Sequence, residues 1–274
     1  MTVHPGASRH DARAAQKAKG RTERAKGAPV AASSYSSDDG GNWSGFMTEQ
    51  SGLVSEAVGQ WTVPTIAATG NNMMYQWVGL GGYDWNDANT AQEALIQAGT
   101  MSQAYPAFNK TYTQYNAFIE YFPGPIEELA PAWWGYQAIA NTEWKMAVTP
   151  GDQYTVQVWT AGLPASTGWY FVAAYPVTGQ AEYYIGSLQF DNASGFIPFQ
   201  GWTAEWIVEA PQLSLSNFGQ TNIHGAVAYG PGGYTQTIGD NNPGEILYGE
   251  NYSGGIEDWP IWSSGTIGFW WLQN

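Results

Sequence analysis

The stretch that decides the fold runs Pro150-Gly151-Asp152-Gln153-Tyr154-Thr155-Val156-Gln157-Val158-Trp159. After the turn-like Pro-Gly-Asp, Tyr154, Val156 and Val158 alternate with Thr155, Gln157 and Trp159. Successive strand side chains point to opposite faces, so this alternation describes a half-buried strand entered from a tight turn. Working outward, comparable runs occupy 59–63, 75–80, 112–122, 169–175, 182–190, 204–208 and 266–272. Breakers such as Gly70-Asn71, Gly162-Leu163-Pro164 and Asn242-Pro243-Gly244 separate many of them. Short strands at this density predict an all-β sandwich of two sheets. Residues 123–134 (PGPIEELAPAWW) read as a long irregular loop able to shape a site.

Composition agrees. The 274 residues are 43% hydrophobic, with 15 Trp, 17 Tyr and 34 Gly, a mixture suited to strands and Gly-rich turns. No apolar run reaches about 18 residues, so no membrane span is expected. Cys is absent, which removes disulfides and thiolate sites and is compatible with secretion. The start, Met1-Thr2-Val3-His4-Pro5, lacks the apolar centre of a signal peptide.

Charge divides the chain. Seven of nine basic residues precede residue 28, leaving only Lys110 and Lys145 against 21 acids, a formal −19 for the body. Residues 1–27 carry seven bases and two acids, a formal +5. Opposite signs in one chain point to a basic arm for an outside anion or to an intramolecular pairing. Residues 8–26 are rich in helix formers without large apolar side chains, and 27–41 (GAPVAASSYSSDDGG) read as a flexible linker. A disordered tail would look the same. The acidic body becomes nearly neutral when its carboxylates protonate, so it avoids the self-repulsion that drives acid denaturation. The same charge repels nucleic acid.

Elimination narrows the chemistry. After residue 27 the one histidine is His224, expected as an ordinary loop residue, and no HExxH, GxSxG, Walker or dinucleotide motif occurs. No metal site and no cofactor are expected. Carboxylates and amides remain. In Ala204-Glu205-Trp206-Ile207-Val208-Glu209, a strand places Glu205, Ile207 and Glu209 on one face. Two carboxylates inside a core are costly unless partnered, so a sheet face open to solvent is their natural place. They are either a solvated pair or a catalytic one. A lectin-like glycoside hydrolase using Glu205 and Glu209 is one reading. Four residues at ~3.3 Å rise separate them by roughly 13 Å, against the ~5–9.5 Å that glycosidase carboxylates need, unless a bulge intervenes.

The body also resembles a known family, the glutamic peptidases (G1, or eqolisins). The resemblance rests on Asn42-Trp43-Ser44-Gly45, Trp61-Thr62-Val63-Pro64, Trp77-Val78-Gly79-Leu80-Gly81-Gly82 and Ala94-Leu95-Ile96-Gln97-Ala98-Gly99. It continues through residues 115–123 (YNAFIEYFP), the Pro150-Gly151-Asp152 turn and the AEWIVE block, in that order. It implies a lectin-like (concanavalin-like) sandwich of two antiparallel, roughly seven-stranded sheets over 41–274, with Gln97 and Glu209 as catalytic pair. It further implies that Glu205 is a supporting carboxylate and that Glu120 and Trp77 line the cleft. Gly81 and Asn116 stand where fungal relatives usually carry Asp, and the lack of disulfides fits a bacterial branch.

The resemblance also implies a secreted acid endopeptidase acting on proteins or peptides, monomeric once mature. Residues 1 to about 40 would be its basic, removable propeptide, pairing with cleft carboxylates near neutral pH. A histidine base would be cationic in acid, whereas a glutamine amide does not titrate.

Overall fold

The computed structural model describes residues 35–39, 43–48, 53–82, 92–122, 126–129, 148–165, 167–175, 182–189, 196–197, 199–210, 215–238, 244–248, 256–261 and 265–271. The decisive stretch forms β9 (Gln153–Thr160), with Tyr154, Val156 and Val158 buried and Thr155, Gln157 and Trp159 partly exposed, as its alternation requires. Its neighbours are β10 (Thr167–Tyr175) and β3 (Glu56–Thr62). Beyond them lie β11 (Glu182–Gln189) on one side, and β14 (Gln220–Gly230), β18 (Thr266–Trp271) and β17 (Ile256–Ile261) on the other. The order is β11-β10-β9-β3-β14-β18-β17, and β15 (Tyr234–Thr237) adds to β14.

The facing sheet runs β1-β16-β2-β13-β4-β6-β7-β8. Its strands are β1 (Tyr35–Asp39), β16 (Gly244–Tyr248), β2 (Trp43–Thr48) and β13 (Ala204–Glu209), then β4 (Asn72–Gly81), β6 (Leu95–Ala107), β7 (Lys110–Phe122) and β8 (Ile126–Leu129). A small parallel pair, β5 (Gln92–Glu93) with β12 (Phe196–Ile197), lies apart. The two large sheets are antiparallel throughout except for β1, which runs parallel to β16. The chain reverses between β1 and β2 with β16 seated between them, which forces that direction. β1 falls within the stretch expected as propeptide and linker, whose remaining residues lie outside the described ones. Within 123–134, read as a loop, residues 126–129 instead form edge strand β8 against β7. The Pro and Gly around them masked a four-residue strand.

The sheets pack face to face, β4 over β3 and β9, β6 over β9 and β10, and β13 over β3 and β14. Phe46, Val78, Ile96, Ile119 and Trp206 of one sheet meet Tyr154, Val156, Val158 and Tyr170 of the other. Two buried indoles bridge the layers. Trp206 donates from Nε1 to the Val58 carbonyl at 2.7 Å, and Trp61 donates to Thr100 Oγ1 at 2.9 Å. Buried indole N–H groups need acceptors, and each such bond adds roughly 1 kcal/mol while fixing how the sheets align. That alignment holds β13, β4 and β6 rigidly, and those strands carry the candidate site.

Candidate active site

Strand register alone assembles the site. Pairing across β13, β4, β6 and β7 aligns Glu205 with Gly79, Gln97 and Glu120 in one row. The next row on the same face holds Ile207, Trp77, Gly99 and Phe118. A third holds Glu209, Tyr75, Met101 and Asn116. The intervening residues Trp206, Val78, Ala98 and Ile119 belong to the core, so these rows lie on the outer face of the sheet. The structure thus brings all five expected residues, Gln97, Glu209, Glu120, Glu205 and Trp77, to one face.

Hydrogen bonds then orient the polar groups. Trp77 Nε1 donates to Glu209 Oε2 at 3.0 Å. Gln97 Nε2 donates to Glu120 Oε2, and Gln97 Oε1 has no hydrogen-bond partner although it is buried. A primary amide has two N–H donors and a carbonyl acceptor, so one N–H and the oxygen remain for chemistry. Apolar side chains fill the spaces between. Trp43 meets Trp77 edge-on with centroids 4.8 Å apart, and Tyr75 meets Phe118 likewise at 4.8 Å.

Sequence reasoning put the carboxylates on a face open to solvent, and here the structure differs. Glu205 and Glu209 are 0% exposed, Gln97 1% and Glu120 3%. The face carries its own apolar cluster, including Trp43, Met47, Trp77, Met101, Phe118 and Ile207. Alternation within AEWIVE shows which residues share a face, but not that both faces are covered. All six residues of β13 are buried.

Two glycines that the sequence offered only as members of the resembling blocks, Gly79 and Gly99, prove necessary. A Cβ on Gly79 would stand 2.7 Å from Trp77 Cζ3, and one on Gly99 2.1 Å from the Gln76 carbonyl and 2.7 Å from Trp77 Cβ. Gly79 makes room for the Trp77 ring, whose benzo edge lies over it while its Nε1 holds Glu209, and Gly99 makes room for the Gln76–Trp77 backbone and the Trp77 Cβ. Glycine inside a strand signals such close approach, and that was the available clue. Gly81, at the site of a usual Asp, has φ +83° and lies where a Cβ would be 2.3 Å from the Ala94 carbonyl. This backbone therefore has no room for Asp at 81. Asn116, the other departure, is buried in the row of Glu209.

The geometry also bears on the two-carboxylate reading. β13 pairs without interruption with β2 from Glu205↔Met47 to Glu209↔Trp43, and with β4 on its other side. No bulge shortens the roughly 13 Å between the two backbone positions. His224 lies in β14 rather than a loop, on the opposite sheet, with Nδ1 3.2 Å from Thr266 Oγ1. Among the described residues no group of three or more His, Cys, Asp or Glu side chains could hold a metal ion.

The structure is an all-β sandwich that carries Gln97 and Glu209 on one outer face, two strands apart and four residues offset. The structure of scytalido-glutamic peptidase with a transition-state analogue inhibitor aligns with TM-score 0.58 at 16% identity, over 85% of this chain and 98% of that one. The eqolisin SCP-B, in complex with the tripeptide Ala-Ile-His, aligns with TM-score 0.54 at 16% identity over the same shares. No curated protein matches the sequence. The profile of the Peptidase A4 family matches residues 41–250. The chain belongs to that family, and it is a peptidase.

Proposed function

We propose that this protein is a secreted endopeptidase of acid media working through Gln97, Glu209 and a water, and made with a basic inhibitory prosegment. The observation that carries the reading is the pair of oriented groups on one face: Glu209 held by Trp77 and Gln97 held by Glu120. Glu209 as carboxylate takes a proton from the water as its oxygen bonds to the peptide carbonyl carbon. The carbonyl oxygen becomes an oxyanion and accepts a hydrogen bond from the Gln97 N–H not committed to Glu120. Glu209 then passes the proton to the amide nitrogen, the C–N bond breaks and the amine leaves. Glu120 acts through Gln97, fixing which way the amide faces, and Trp77 acts through Glu209. The glutamine stays neutral in acid, and the −19 body loses its self-repulsion there.

The prosegment reading rests on charge. Residues 1–27 at +5 precede a body at −19, and Coulomb attraction between them fades as carboxylates protonate. β1 is paired to β16 along its length, so a protease must strip it from the sheet to reach its bonds. The processing point is therefore expected before Tyr35, leaving β1 in the mature enzyme. The test is proteolysis of a denatured protein across pH 2–8 by wild type, Glu209→Gln and Gln97→Ala. Acid-only cleavage lost in both variants supports the reading. A neutral optimum, or variants that cut as well as wild type, refutes it.

A further inference from the structure

The second sheet is almost free of charge, and its outer face is open. The two longest stretches of the chain without Asp, Glu, Lys or Arg, residues 153–181 and 210–239, supply β9, β10, β14 and β15. Across these four strands and β3, Glu56 is the only acid and no Lys or Arg occurs. Gln60, Thr62 and Gln153 are exposed there, whereas the rows on the outer face of the catalytic sheet are buried. Exposed sheet faces usually hold charges, which keep them soluble and block pairing with other chains. In a body of formal −19, an open face nearly without them calls for a use of that face.

Pairing register lays one aromatic row across this face. Tyr229 of β14 pairs with Glu56 of β3, Glu56 with Trp159 of β9, and Trp159 with Trp169 of β10. Their chain neighbours Ala228, Ala57, Val158 and Tyr170 belong to the core, so the row faces outward. Three strand spacings make it about 14 Å long. Tyr229 is 40% exposed and Trp169 37%. The indoles of Trp159 and Trp169 are near-parallel, 18° apart in plane, with centroids separated by 6.3 Å. Rings in contact at ~3.5 Å height with that separation are offset by roughly 5 Å, so they meet at their edges and form a broad platform rather than a closed stack. Beside them Gln157 Nε2 donates to Glu56 Oε1 at 2.8 Å, and the pair has further N–H and oxygen sites beyond this bond.

The chemistry fits one class of ligand. A pyranose ring has an apolar face of C–H groups and a rim of hydroxyls. Its C–H face settles on the negative π face of an indole, while hydroxyls donate to the carboxylate and accept from the amide. An uncharged polymer meets no repulsion here, whereas a nucleic acid or an anionic polysaccharide needs Lys or Arg that this face lacks. The amide and carboxylate interleaved with the aromatics set the row apart from the apolar centre of a protein interface. A flat row over four strands suits a chain of sugars, since a single sugar covers only part of it.

We propose that the outer face of the second sheet binds a neutral polysaccharide along the row of Tyr229, Glu56, Trp159 and Trp169. It thereby holds the enzyme on a carbohydrate matrix with the catalytic face turned away from it. The test is retention of the full chain on insoluble cellulose, xylan, mannan and starch, with insoluble polygalacturonate as anionic control. Wild type is expected to bind at least one neutral polymer, and about 1 M salt should leave that binding unchanged. Trp159→Ala and Trp169→Ala should each weaken it about tenfold, the worth of one aromatic contact. Both should still unfold cooperatively and cut a short peptide at the wild-type rate. Trp169→Phe keeps an aromatic face and should restore part of the binding, which a merely misfolded sheet would not. The proposal is overturned if no neutral polymer retains the wild type or if the Trp variants are retained equally well. Preference for polygalacturonate, or a wild-type dimer that Trp169→Ala dissociates, overturns it too. Retention does not depend on hydrolysis, so Glu209→Gln that binds the polymer but cuts no peptide separates this proposal from the cleft reading.

Discussion

Gly79→Ala is the sharpest structural perturbation of the site. The new methyl carbon would stand 2.7 Å from Trp77 Cζ3 and 3.1 Å from both Trp77 Cε3 and Leu95 Cδ1. Trp77 is 0% exposed, pinned by its bond to Glu209, by Trp43 edge-on at 4.8 Å and by the approach of Gly99 beneath it. It cannot retreat without giving up one of these. Overpacking a tight core costs about 1–3 kcal/mol, and for a domain of this size each kcal/mol lowers Tm by roughly 2–4 °C. The expected fall is thus roughly 2–12 °C. If the ring tilts to relieve the clash, Glu209 loses its donor, and kcat should fall more than binding. Gly162→Ala is the control, since a Cβ there meets nothing within 4 Å. Thermal unfolding and peptide hydrolysis of both variants provide the assay. Gly79→Ala matching wild type in Tm and kcat would refute the account of how Trp77 is seated.

Other consequences follow from single contacts. Trp77→Phe keeps most of the packing but removes the N–H on Glu209. A hydrogen bond to a charged group is worth about 1.5–3 kcal/mol, so kcat/KM should drop roughly 10–150-fold, measured on a short peptide. Thr100→Val strands the buried Trp61 N–H and should cost about 1–3 kcal/mol in urea unfolding, with little effect on kcat. Prosegment inhibition at neutral pH should weaken as salt rises from about 0.15 to 1 M and the Debye length shrinks from about 8 to 3 Å. Salt-independent inhibition would contradict the electrostatic mechanism.

Much of the fold was legible because its signal is local. The alternation in 153–159 specified β9, and the shared face of Glu205, Ile207 and Glu209 held when β13 was seen in place. That Gln97, Glu120, Trp77 and Glu209 share one cleft was expected through the resemblance alone, and the bonds of Gln97 to Glu120 and of Trp77 to Glu209 were not legible at all. Pairing register between strands 23 and 132 residues apart leaves no periodic trace in sequence. β1 escaped notice because Ser-Ser-Asp-Asp composition reads as linker, and its pairing with the edge of β16 has no local signal in the sequence. Burial of the site escaped as well. Carboxylates are expected in water until partners such as the Trp77 indole are seen.

The central claim is that Gln97 and Glu209 act as one unit. Groups that act as a unit give losses that do not multiply, whereas independent contributors give losses that do. The direct measurement is kcat/KM on one short peptide in acid for Glu209→Gln, Gln97→Ala and the double variant, each checked to be folded. The account predicts that either single change costs on the order of 10²–10⁴-fold and that the second adds about tenfold or less. Multiplying losses, or a single variant retaining the wild-type rate, would contradict it.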